Sequence, residues 1–318
     1  MPDGFEEAFS SGSAVALGYF DGVHLGHRKL FSLLRGLAEE TGVVAVAHTF
    51  SNTPKSKIFA TGGDGLITTL AERCALIHKA GVENVAVFPF TDSLAAMKAG
   101  DFLEEYVSRI LNAKVVLAGE DYHFGANREG DSEFLTRWAE GKGIRPVLVP
   151  PELFNDRVIS SSWIRERILS GDMITAHELL GRPVSYEGEV MRGRGLGGTL
   201  GFPTANIGIP SGKVIPDFGV YTSFLRFEDN YYPAVSNIGL RPTVSDNEVY
   251  PLLETTALGV KLELYGKRIT VYPIGQLRKE KRFESIEELR IQVMKDVDEA
   301  RAYHGSHPDY SNIFKDVL

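Results

Sequence analysis

Residues 18–27 read Gly18-Tyr19-Phe20-Asp21-Gly22-Val23-His24-Leu25-Gly26-His27, directly after a short apolar run and before a helical pattern. A strand, a glycine-bearing turn and a helix start together suit a phosphate. Glycine lets the backbone approach, and the helix N-terminus carries partial positive charge. His24 and His27 flank Gly26 at that start, where a ring N–H from each suits negative charge developing on a transferring phosphorus group. Nothing in the stretch looks like a poised covalent nucleophile. Direct attack of one phosphate on another, helped by position and charge, fits these residue types better. Isolated histidines usually cap or pack, but a His-x-Gly-His pair after Gly-x-Phe-Asp-Gly is hard to obtain by chance.

Two further clusters suit anions or hard cations. Ser160, Ser161 and Ser162 precede Arg165 by about one helical turn, so hydroxyls at a helix start and a guanidinium could share phosphate oxygens. Alone, the same pattern is an ordinary serine cap with a solvated arginine. Gly201-Phe202-Pro203-Thr204-Ala205-Asn206 contains a turn and two side-chain oxygens, on Thr204 and Asn206, of the hard type that Mg²⁺ prefers beside substrate phosphates. Upstream, Gly193-Arg194-Gly195-Leu196-Gly197-Gly198 can wrap phosphates through backbone N–H groups, although a glycine-rich run is often only a loop. Glu254 stands in an otherwise apolar run, 250–258, which is unlike a solvated face.

The elements that must position these residues change character along the chain. Apolar runs at 14–17, 43–50, 85–88, 114–117 and 146–149 alternate with helical patterns at 27–40, 70–80, 102–111 and 133–139. Strands so uniformly apolar are buried on both faces, which predicts a parallel sheet flanked by helices with its ligand at the strands' carboxyl ends. Two helical pieces, 162–169 and 174–180, close this half, and Gly181-Arg182-Pro183 breaks the rhythm. Beyond it, β-prone runs at 221–227, 231–235, 260–264 and 269–272, with turns at Asp229-Asn230 and Gly266-Lys267, predict antiparallel strands in a small barrel. A helix from Ile286 to Tyr303, opened by Ser285 with Glu288 three residues on, ends the ordered part. The expected domains are therefore 1–182 and 183–318.

Composition narrows the class. With 318 residues, 43% hydrophobic and 24% charged, the chain suits two folded domains. A net charge of −8 argues against a non-specific nucleic-acid partner. The lone Cys74 excludes an internal disulfide and a cysteine zinc site, and its helical stretch suggests a small buried residue. The start shows no basic region with an apolar run, and no stretch is long enough to span a bilayer, so a cytoplasmic protein with no membrane partner is expected. Oligomeric state is left open, a homo-oligomer included.

The first motif resembles the ATP-binding signature of nucleotidyltransferases with a His-x-Gly-His motif, and specifically that of prokaryotic bifunctional riboflavin kinase/FMN adenylyltransferases. Gly119-Glu120-Asp121-Tyr122-His123-Phe124-Gly125 with Arg128 and Gly130-Asp131 resembles that family's second block, and 159–165 its third. Gly201–Asn206, 217–221, 237–243 and 253–256 resemble its kinase half. The resemblance, from about residue 14 to 301, implies a Rossmann-like N-terminal domain that transfers AMP from ATP to FMN, releasing pyrophosphate. It implies a C-terminal β-barrel that moves the γ-phosphate of ATP to riboflavin, both steps using Mg²⁺. By the same resemblance Gly18, Phe20, Asp21, Gly22, His24, Gly26, His27, Asp121, Ser160–Ser162 and Arg165 bind ATP in the first domain. Gly193, Arg194, Gly195, Gly201, Pro203, Thr204 and Asn206 do so in the second. Thr204 and Asn206 would hold the metal, Glu254 would be the general base, and Arg278 and Phe283 would neighbour the flavin.

The chain also departs from the family. Phe50-Ser51-Asn52-Thr53-Pro54 stands where Phe-x-Pro-His-Pro is usual, and Leu196-Gly197-Gly198 replaces a basic Arg-Gly-Arg. Thr256, Gly259 and Glu263 replace the usual His, Asp and Asp, and Arg192 and Arg194, slightly earlier in the glycine-rich loop, would replace the cations lost with Arg-Gly-Arg. Two alternatives stand beside the bifunctional reading: an adenylyltransferase with a weakened kinase, and a non-catalytic flavin-binding regulator.

Overall fold

The computed structural model describes residues 9–52, 65–192, 203–242 and 249–307. The chain groups into two compact units, one of 1–63 with 68–161, the other of 64–67 with 162–318. Barrel strands begin after the break at 181–183, whereas the second unit's contacts begin earlier and take in the two preceding helices.

The first unit is a five-stranded, all-parallel sheet. Its strands are β1 (Ser13–Leu17), β2 (Val44–Phe50), β3 (Asn84–Phe88), β4 (Ala113–Gly119) and β5 (Arg145–Val149), in the order β3-β2-β1-β4-β5. Every residue of β1 is buried. Val15 and Leu17 face one apolar cluster and Ala14 and Ala16 the other, which is why the central strands carry no polar alternation. Helix α1 (Leu25–Thr41) follows β1 and packs Leu30, Phe31 and Leu34, ending on Gly42 at φ 68°. Helix α2 (Leu70–Lys79) opens with a capping box between Thr69 and Glu72. It buries Arg73 and Ile77, which leaves Cys74, one step round the helix, half-buried rather than buried as expected. A short helix, Ala99–Phe102, widens into a π-helical stretch, Leu103–Ile110. Helix α3 (Ser132–Gly141) is capped by Asp131, whose Oδ1 accepts the Phe134 N–H at 2.8 Å. Strand order reverses at β1, so the loops after β1 and β4 flank the switch point where such sheets bind ligands.

The small hairpin β6 (Leu153–Phe154) and β7 (Arg157–Val158) ends the first unit together with Ser161, the first residue of α4 (Ser161–Leu169); the rest of α4 and α5 (Met173–Leu180) precede β8 (Tyr186–Glu189) in the second. Strands β9 (Ala205–Gly208), β10 (Gly219–Phe227), β11 (Asn230–Pro242), β12 (Val249–Ala257) and β13 (Arg268–Lys279) complete an antiparallel sheet ordered β8-β13-β10-β11-β12-β9. The Met191 N–H donates to the Asn206 carbonyl at 2.8 Å, joining the chain after β8 to β9 and curling the sheet into a barrel. Helix α6 (Ile286–Ser306), capped by Ser285, lays Val293, Val297 and Ala300 on Val220 and Val235. The run 260–264, expected as a strand, is irregular. Gly259 at φ 76° turns the chain out of β12, and the alternating Val260, Leu262 and Leu264 line a cavity instead of a sheet face.

Candidate active sites

The loop from Gly18 to His24 is held in an unusual backbone path. Phe20, Gly22 and Val23 have φ of 58°, 80° and 42°, a left-handed run that a β-branched valine adopts only where its surroundings impose it. Those surroundings are explicit. Asp21 is buried, and its Oδ1 accepts from both the N–H and the hydroxyl of Thr68 at 3.1 Å. Thr68 Oγ1 in turn accepts the Gly22 N–H at 3.0 Å. Ser161 Oγ donates to the Asp21 carbonyl at 2.8 Å, and Thr49 Oγ1 to the Tyr19 carbonyl at 2.8 Å. Asp21 and Ser161 therefore hold the loop's shape. Gly18 is obligatory, since a Cβ there would meet the Phe20 ring at 2.5 Å.

The Phe20 ring supports His27 edge-on, with centroids 5.2 Å apart, and His27 stacks on His24 at 3.6 Å and 21°. Both imidazoles thus lie at the N-terminus of α1, where His24 gives no side-chain cap and no acidic residue occupies the first turn. Such an end presents N–H groups and partial positive charge to an anion. Gly26 brings the helix backbone close, its Cβ position being 3.3 Å from the His24 ring.

The second block follows β4. Gly119 leaves room for Asp121, whose Oδ1 would be 2.8 Å from a Cβ there; Asp121 is exposed, and its carbonyl meets His123 Nδ1 at 2.8 Å. Burial pushes the Tyr122 hydroxyl well above the usual phenol range. Ser160 is half-buried. Ser162 and Arg165 lie in the second unit, where Arg165 Nη2 donates to Ser162 Oγ at 3.2 Å. Asn52 exchanges two hydrogen bonds with the Phe90 backbone, at 3.1 and 2.8 Å, and Thr53 lies outside the described residues.

In the barrel, pairing places Asn206 on β9 opposite Glu254 on β12, Glu254 opposite Asn237 on β11, Asn237 opposite Val220 on β10, and Val220 opposite Arg278 on β13. Directly paired residues share a face, so one rank carries all five side chains. Asn206 is buried, and its Oδ1 has no hydrogen-bond partner among the described residues. A buried amide oxygen left so is the kind of hard donor that suits Mg²⁺. Glu254 is half-buried. Thr204 is exposed on the wall of a cavity of about 610 Å³, shared with Pro203, Arg192, Thr255, Tyr265 and Lys267. Arg192 stands over the Tyr265 ring at 4.8 Å. Gly193, Arg194, Gly195, Leu196, Gly198 and Gly201 lie outside the described residues.

Arg278 makes a two-pronged pair with Asp296 of α6, Nε to Oδ1 at 2.8 Å and Nη2 to Oδ2 at 2.7 Å. Its guanidinium lies 5.7 Å from the half-buried Phe283 ring. Residues that sequence reasoning passed over are Thr68, Arg73 and His48. His48 is wholly buried against Phe50, Phe88 and Phe102, which holds its pKa down to about 4. For Arg73 the signal was present: it shares the buried face of α2 with Ile77.

Residues 6–163 match the family model for FAD synthetase and residues 180–304 that for riboflavin kinase. The bifunctional riboflavin kinase/FMN adenylyltransferase of Bacillus subtilis (strain 168) is 34% identical over 296 residues, covering 92% of each chain. That of Escherichia coli (strain K12) is 34% identical over 304 residues, covering 94% of this chain and 95% of its own. A crystal structure from Streptococcus pneumoniae, described as a macrolide-efflux protein, superposes with a TM-score of 0.80 at 31% identity, over 91% of this chain and 94% of that one. Among the described residues of this chain, no helix is long and apolar enough to cross a membrane.

Proposed function

The chain belongs to the bifunctional riboflavin kinase/FMN adenylyltransferase family, and we propose that it carries out both reactions, phosphorylating riboflavin to FMN and adenylylating FMN to FAD. We assign the adenylyltransferase to residues 1–182 and the kinase to 183–318, in a cytoplasmic enzyme whose partners are ATP, riboflavin and FMN.

In the first reaction an FMN phosphate oxygen attacks the α-phosphorus of ATP and pyrophosphate leaves. The stacked His24 and His27 donate ring N–H groups to the charge that gathers on the phosphorus oxygens, beside the open N-terminus of α1. Asp21, Thr68 and Ser161 act earlier, by holding the loop that orients the pair. In the second reaction Glu254 takes the proton of the riboflavin 5′-hydroxyl as its oxygen attacks the γ-phosphorus and ADP leaves. Asn206 and Thr204 would hold Mg²⁺, which when bound neutralises phosphate charge.

The observation that favours a working kinase over a weakened one is the rank itself. Glu254, the expected proton acceptor, sits directly across from Asn206, whose buried Oδ1 lacks a partner among the described residues. A flavin-binding regulator has no use for that pairing. The test is a product assay with riboflavin, or FMN, plus ATP and Mg²⁺. FAD from both substrates is expected; FAD from FMN alone would mean a weakened kinase, and no ATP turnover would mean a binding protein.

A further inference from the structure

Arg73 lies on the buried face of α2, and none of its surface reaches solvent (0% exposed). A guanidinium in such a place is normally paired with a carboxylate, because burying an uncompensated charge is strongly unfavourable. Among the described residues its contacts are instead one hydrogen bond from Nη2 to the Phe50 carbonyl, 2.5 Å, and the face of the Tyr19 ring, 4.2 Å from Cζ. Nε and Nη1 are buried with no hydrogen-bond partner among the described residues. Folding alone gives no reason for this choice. An apolar side chain of similar length would fill the space and leave no donor unmet.

The groups that Arg73 touches locate its purpose. Phe50 ends β2 and Tyr19 belongs to the loop after β1, both at the carboxyl edge of the sheet. Thr68, one residue before the helix N-cap Thr69, holds the next part of that loop by bonding Asp21 and Gly22. Residues 68–73 therefore hold Tyr19, Asp21 and Gly22 together, immediately before His24. A positive charge buried in contact with the loop is weakly screened and favours an anion bound by that loop.

We propose that Arg73 is a positioning residue of the adenylyltransferase site: it fixes the Tyr19–Gly22 loop so that His24, His27 and the start of α1 meet the phosphates, and its buried charge draws those phosphates in. This rests on the adenylyltransferase reading above.

The test uses the full chain as Arg73→Met and Arg73→Lys, and follows FMN adenylylation, riboflavin phosphorylation and thermal unfolding. Arg73→Met lowers kcat/KM for adenylylation roughly 10²-fold, the order of loss expected from displaced reacting groups, with phosphorylation unchanged and Tm not lowered. Arg73→Lys keeps the charge without the planar stack, so it restores the KM for ATP more than kcat. A methionine variant that adenylylates like wild type overturns the proposal, as does one whose loss merely follows a fall in Tm. Wild-type protein that makes no FAD from FMN overturns the activity reading and this proposal together, a failure distinguished by appearing before any substitution.

Discussion

Glu254 and Asn206 face each other across adjacent antiparallel strands, β12 and β9, so a carboxylate and a buried amide oxygen share one face of the barrel at neighbouring positions. The pairing is non-local and rigid: β9 is fixed on its other side by the Met191–Asn206 backbone bond. On the proposed reading, the carboxylate is the proton acceptor and the amide oxygen the metal-side group of one phosphoryl transfer. Glu254→Gln keeps the shape and removes the acceptor. Its riboflavin phosphorylation should fall roughly 10²–10⁴-fold, the usual weight of a general base. FMN adenylylation by the same preparation should be unchanged; equal loss of both activities would point to misfolding instead.

The stacked imidazoles of His24 and His27 predict the opposite split. Removing a donor aimed at developing charge commonly costs roughly 10²–10³ in kcat. His27→Ala should therefore depress adenylylation on that scale with little change in phosphorylation. Because His27 rests edge-on against Phe20, His27→Phe preserves packing without the N–H. It should be as inactive as the alanine variant, and recovery of activity in it would reduce the histidine to a packing role.

The parallel half was legible because its strands are buried on both faces, and an unbroken apolar run such as 43–50 has little else to be. The loop motif was legible for a related reason: Gly18 and Gly22 are forced by a near-contact and a positive φ. What escaped was non-local. No local pattern tells that Asn206 will stand opposite Glu254, or that the chain after β8 will close on β9. The run 260–264 misled because alternating apolar residues line a cavity as readily as a sheet. His48 was hidden inside an apolar run. Arg278 was readable as basic, but its partner Asp296 lies on another element, so its pairing came only from the fold.

His48 gives a pH prediction. The unfolded imidazole takes up a proton near 6.5, whereas burial holds the folded one off until about 4. Between those values the unfolded chain binds more protons, so stability falls as pH drops through the window and is unaffected above it. The loss amounts to about 3 kcal/mol at most. His48→Leu removes the titrating group and two buried nitrogens that have no hydrogen-bond partner among the described residues. Urea unfolding at pH 7.0, 5.5 and 4.5 is expected to show the variant gaining on wild type as pH falls; a constant difference would refute the assignment.

The Arg278–Asp296 pair ties β13 to α6, with Gln292 Nε2 adding a third bond to Asp296 Oδ1 at 3.0 Å. Only 22% and 5% of the two side chains are exposed, so each charge depends on the other for compensation. Asp296→Ala strands a guanidinium and should cost about 3–5 kcal/mol in urea unfolding, the range for breaking a buried pair from one side. Replacing both, as Arg278→Met with Asp296→Leu, should recover most of that stability, since the desolvation of two charges is removed along with their attraction. Kinase activity in the stable double variant then separates two roles for Arg278. If α6 is merely anchored, phosphorylation survives; if the guanidinium also neighbours the flavin through Phe283, the KM for riboflavin rises while the fold is intact.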